Sequence, residues 1–158
     1  MTLQQFVVAY NGTTVGSGQC VALITRYEID VLNLVPQTVG DAHKYYDDYY
    51  TNPFLYNNFD LFTYNGNNMP EAGDIVVWNT NVVPPYGHVD IAYSNISSSG
   101  FTSFSQNWGT PLSCSLVNHN YTNVSGWLRL KQSPTPEVTR KNKFNFVLYG
   151  YRNKMRRR

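Results

Sequence analysis

The spacing of apolar and polar positions changes rhythm once along this chain. Cys20, Leu23, Tyr27 and Val31 recur at helical intervals, which predicts a helix from an N-cap at Ser17 to about Leu34. Ahead of it, GTTVGSG (residues 12–18) is a run of small residues that reads as a loop. VGDAHKYYDDYYT (residues 39–51) predicts a second helix, stopped by Asn52-Pro53. From Asp74 onward the apolar segments become short, β-branched or aromatic, and are separated by Gly, Pro and Asn. DIVVW (74–78), HVDIAYS (88–94), FTSFS (101–105), SCSLV (113–117) and GWLRL (126–130) predict strands. Helices followed by strands imply an α+β fold, with N-terminal helices packed on an antiparallel sheet.

Composition narrows the class. A chain of 158 residues with 42% hydrophobic and 14% charged positions suits one globular domain and argues against a disordered or fibrous chain. No apolar run approaches the roughly 20 residues that span a bilayer. The opening MTLQQFVVAYNG has neither a basic segment nor a long apolar one, so it is not expected to be a secretory signal.

Charge divides the chain. Residues 1–139 carry all ten acidic side chains and four basic ones, whereas residues 140–158 carry eight basic side chains and no acid. The net charge of +2 is therefore the sum of an acidic domain (residues 1–131) and a basic, aromatic tail reached through the Pro-containing stretch QSPTPEV. FNFVLYGY within the tail has the pattern of one further strand. Such a tail suits anionic wall polymers or a membrane surface, and is equally compatible with a merely solvated segment; binding of nucleic acid is not expected.

Chemistry centres on Cys20. It falls where a Gly-rich loop enters a helix, and the free N–H groups and dipole of a helix N-terminus favour a thiolate. That position suits a nucleophile, though a core cysteine is equally compatible with it. Cys114, in SCSLV, reads as a small core hydrophobe, and a disulfide between the two is not expected in a reducing compartment. A thiol nucleophile needs a base. His43 and His119 fall in polar segments that read as solvated, while His88 opens a strand directly after a turn, which makes it the candidate. The base needs an orienting partner in turn. Asn107 in SFSQNWG is preferred to Asp90, because residues two apart on one strand lie side by side and seldom meet head to head.

In order, GSGQCVALITRYE, PEAGDIVVW, YGHVDIA, SFSQNWG and GWLRL resemble a CHAP domain, the cysteine, histidine-dependent amidohydrolase/peptidase of phage endolysins and virion-associated lysins. The resemblance covers residues 1–131. It implies a papain-like fold and a thiol acyl-enzyme mechanism that cleaves peptidoglycan amide bonds in Gram-positive walls. It also implies action on the cell wall by a protein made without a signal peptide. The catalytic set it implies is Cys20, His88 and Asn107, with Gln19 joining the Cys20 N–H in an oxyanion hole. Tyr86 and Trp108 are candidates for the substrate groove, whereas Trp78 is expected in the core. The family often has an acid where this chain has Ser105, a departure that leaves the third catalytic position open and admits a non-catalytic wall-binding protein on the same fold. No cofactor is implied. The calcium loop of some phage members needs carboxylates, and the stretch before Cys20 has none.

Overall fold

A computed structural model describes residues 1–109 and 112–132. The linker, the strand expected at 144–151 and the basic tail lie outside the described residues.

Four helices and six strands follow one another: α1 Leu3–Tyr10, α2 Cys20–Asp30, α3 Lys44–Asp47, α4 Pro53–Asn58, β1 Phe59–Thr63, β2 Ile75–Trp78, β3 His88–Ser97, β4 Gly100–Gln106, β5 Cys114–His119 and β6 Val124–Leu130. Helix α1 is an element the apolar spacing did not announce. Its start is fixed by a capping box, with the Thr2 hydroxyl accepting from the Gln5 N–H and the Gln5 side chain accepting from the Thr2 N–H. Phe6 then holds the helix down, packing on Tyr27 at 5.5 Å and Phe104 at 6.0 Å between ring centroids.

The helix expected over 39–51 shrinks to the single turn of α3. A tertiary bond competes with it: the His43 N–H donates to the Tyr86 carbonyl in the loop before β3. Asn52-Pro53, read as a stop, is also a start. The Asn52 side chain accepts from the Phe54 and Leu55 N–H groups, and Pro53 occupies the first turn of α4.

The strands form one antiparallel sheet in the order β1-β6-β2-β3-β4-β5. Alternation along the strands gives two apolar clusters. Ile75, Val77, Val89, Ile91, Phe104 and Leu128 join Phe6, Leu23, Ile24 and Tyr27 of the helices. Val76, Trp78, Ala92, Phe101 and Trp127 form the second cluster. His88 is paired with Trp78 and Asp90 with Val76, so the ring and the carboxylate stand on this second face. Trp78 is 1% exposed, a core residue as expected. Among the described residues no helix is long and apolar enough to cross a membrane.

Candidate active site

Cys20 is the first residue of α2, and Gln19 occupies the N-cap without a side-chain cap bond. The Cys20 N–H therefore belongs to the unpaired first turn of an 11-residue helix, where the dipole stabilises negative charge. The preceding loop is clamped by a residue quoted above only as part of a motif. Gln106, fully buried at the end of β4, accepts from the Val15 N–H at 2.7 Å and donates to the Val15 carbonyl at 3.0 Å. Its amide also donates to the Gln19 carbonyl at 2.8 Å, and its oxygen accepts from the Cys114 thiol at 3.1 Å. One buried carboxamide thus ties the loop before Cys20 to the sheet, with its donors and its acceptor engaged. Both cysteines are free thiols.

His88 enters the site from the other side. Gly87 before it has a φ of +70°, and a Cβ there would stand 2.7 Å from the Trp78 carbonyl, so glycine is required at this turn. The His88 side chain is 2% exposed. Its Nε2 lies 2.7 Å from Asp90 Oδ1 and 3.1 Å from Ser105 Oγ. A proton on Nε2 satisfies both acceptors and leaves Nδ1 as the nitrogen for the thiol. The other Asp90 oxygen accepts from Ser103 Oγ at 2.7 Å and lies 3.2 Å from His119 Nε2. Trp108 closes the cluster, edge-on to His88 at 4.8 Å and to His119 at 4.5 Å.

Burial disfavours a charged imidazole, but the Asp90 carboxylate and the neighbouring Cys20 sulfur outweigh it and carry the His88 pKa up to about 10. Burial likewise opposes the Asp90 anion. The charge of His88 and hydrogen bonding from both histidines reverse that and hold Asp90 well below the ordinary carboxylate range. The pair is poised as imidazolium and carboxylate.

A cleft of about 440 Å³ opens on these groups, lined by Gln19, Cys20, Asp41, Tyr86, His88 and Asn107 with their neighbours. Cys20 and His88 share it, as the sequence expected. Gln19 and the exposed Tyr86 are in its wall. Two expectations need correction. Asn107 does not reach His88: it donates to Gln19 Oε1 at 3.0 Å, and the orienting contact falls to Asp90. Asp90 manages this because His88 is the terminal residue of its strand, free to fold its ring back along the face that alternation gives both. Trp108 packs on the two histidines rather than in the cleft wall. His119 is a third difference, since it was read as solvated and its side chain is 4% exposed. Extension of β5 through Asn118-His119 and pairing of His119 with Phe101 draw it inward.

No curated protein matches the sequence. Among solved structures, the chain is similar to the wild-type endolysin LysIME-EF1, with a TM-score of 0.65 and 23% identity over 82% of this chain and 64% of that one. It is also similar to Ly7917, with a TM-score of 0.57 and 21% identity over 79% of this chain and 60% of that one. A second structure, described as Ly7917 with the hydrolyzing product of MDP, gives a TM-score of 0.58 at 20% identity, with the same coverage of both chains. The chain thus spans less than two thirds of the length of these structures, and at such identity the likeness concerns the fold. The family model for the CHAP domain matches residues 9–107, which hold the loop before Cys20, α2, His88, Asp90 and the end of β4. With most of its length under that match and the fold in agreement, the chain belongs to the CHAP domain family.

Proposed function

We propose that this protein is a phage-type peptidoglycan hydrolase that cuts cell-wall amide bonds of Gram-positive bacteria through a Cys20 thioester. The observation that carries the reading is the shared cleft of Cys20 and His88, with Asp90 at 2.7 Å on the far nitrogen of the ring. In this reading the Cys20 thiolate adds to the scissile carbonyl, and the oxyanion is met by the Cys20 N–H and the Gln19 side chain. Asn107, bonded to Gln19 Oε1, turns the Gln19 amino group outward for that purpose. The C–N bond then breaks as imidazolium His88 gives its Nδ1 proton to the leaving amine, and a thioester remains. Water adds next, losing a proton to His88. The C–S bond breaks, and the acid leaves with Cys20 again a thiolate.

The similarity to the endolysin LysIME-EF1, and to Ly7917 described with the hydrolyzing product of MDP, supports the wall as substrate. The domain is taken as residues 1–131, and the basic tail is assigned attraction to anionic wall polymers or a membrane surface. The ground for a non-catalytic reading was the missing acid at Ser105. It weakens because Asp90 meets the same ring nitrogen as Ser105 does. Clearing of purified Gram-positive walls tests the proposal: Cys20→Ala is expected to lower the rate about 10³-fold or more with the fold kept. Undiminished clearing by that variant rejects the mechanism. Mass spectrometry of the digest identifies the bond from the new amine.

A further inference from the structure

Resting on that reading of the site, we propose that His119 is a positioning residue that works through Asp90. Asp90 is fully buried and its two oxygens face different partners. Oδ1 meets His88 Nε2, whereas Oδ2 meets the Ser103 hydroxyl at 2.7 Å and His119 Nε2 at 3.2 Å. Among the described residues, His119 Nε2 is buried without a well-aligned hydrogen-bond partner, and the Asp90 carboxylate lies 3.2 Å from it. A buried ring nitrogen short of a partner is unfavourable, and an apolar ring would fill the same space without that cost.

The place is built for an aromatic ring. Trp78, Phe101 and Trp108 surround the imidazole at centroid distances of 4.8, 5.7 and 4.5 Å. Trp108 touches both histidines and closes off this side of the pair. His119 therefore braces Asp90 from behind. With Oδ2 held by Ser103 and His119, Oδ1 stays aimed at His88, and the ring keeps Nδ1 toward the cleft. Among the described residues, the titratable groups at this cluster are Cys20 from α2, His88 and Asp90 from β3 and His119 from β5. Strand β2 adds Trp78, and β4 adds Phe101, Ser103 and Ser105.

His119→Phe keeps the aromatic packing and removes the nitrogen. The His88 imidazole, titrated by NMR in wild type and variant, is expected to fall by about one pH unit in His119→Phe as its contact with Asp90 loosens. In wall clearing the same variant is expected to lose about tenfold or more in kcat with KM within twofold. His119→Gln, which retains an N–H donor at the same reach, is expected to restore the titration and most of kcat. An unchanged His88 titration in folded His119→Phe overturns the assignment. Should His119→Phe fail to fold, the smaller apolar His119→Leu takes its place: a lowered His88 pKa in that variant upholds the assignment, and a wild-type one overturns it. The titration needs no substrate. A wild type inactive on walls would therefore count against the proposed function and leave the brace to be judged by NMR.

Discussion

Glu28 on α2 and Asp90 on β3 are both fully buried carboxyl groups, and they titrate in opposite directions. Among the described residues Glu28 has no hydrogen-bond partner on either oxygen, and burial alone pushes its pKa up to about 8. Asp90 is buried as deeply but meets His88, Ser103 and His119, which hold it as an anion. Asp74 stands between them. It is 3% exposed and gripped by Arg129 through Nε at 2.9 Å and Nη2 at 2.7 Å, yet burial still leaves its pKa raised. Burial alone therefore does not set the state of a carboxyl in this protein. The number and charge of partners within hydrogen-bonding distance decide it, and the best-furnished carboxylate is the one behind the candidate base.

The comparison can be broken at each carboxyl, beginning where the effect is largest. Asp90→Asn is expected to lower kcat/KM on purified walls about 10³-fold, because the ring loses its anionic partner. In an Asp90→Ala background, Ser105→Glu should recover at least tenfold of the lost rate, since Ser105 already meets Nε2 at 3.1 Å. Failure of that rescue would mean that the place of the acid matters as much as its presence.

Arg129→Met comes next. It strands Asp74 as an uncompensated buried charge and is expected to cost about 3 kcal/mol in urea unfolding at neutral pH. The loss should shrink toward pH 4, where Asp74 can take a proton instead.

Glu28→Gln is smaller and opposite in sign. The folded state keeps the Glu28 proton up to about pH 8, while the unfolded chain releases it near 4.5, so folding grows weaker as pH rises between those values. The substitution should raise Tm by about 3–6 °C at pH 8.5, leave it unchanged at pH 4, and flatten the slope between. A parallel shift at both pH values would show that packing rather than charge was relieved.

His88 supplies the last and subtlest contrast. Its raised pKa adds stability that is complete below 6.5 and is lost as pH rises through about 10. Asp90 contributes the converse: stability present above 3.8 and lost as the pH falls below that value. Replacing Asp90 by Asn should therefore flatten the melting profile above pH 7 without touching the part that Glu28 governs. Equal slopes in wild type and Asp90→Asn over pH 7–10 would break the assignment.

Local pattern was enough to find five of the six strands, β1 excepted, and the two residues that share the cleft. Alternating apolar residues placed DIVVW, HVDIA and GWLRL within a few residues of β2, β3 and β6, because burial of one or both sheet faces writes itself into nearest-neighbour order. Cys20 and His88 were legible for a related reason, each standing at a junction of loop and element. Helix α1 was missed because eight residues held by a capping box and one anchored Phe leave little periodicity to read. The expected second helix failed because the His43 N–H is taken by a carbonyl more than 40 residues away.

By itself, then, the sequence determined an α+β chain with a thiol at a helix mouth, a histidine at a strand end and a CHAP-like order of motifs. Only the tertiary structure decided who serves whom. Asp90 rather than Asn107 faces His88, Asn107 turns to Gln19, Gln106 clamps the loop before Cys20, and His119 lies buried behind the carboxylate. Each of these depends on ring and amide directions across paired strands. Side-chain chemistry is fixed by residue type, but which of several competent partners a nitrogen meets is fixed by register and by the two or three ångströms that packing leaves.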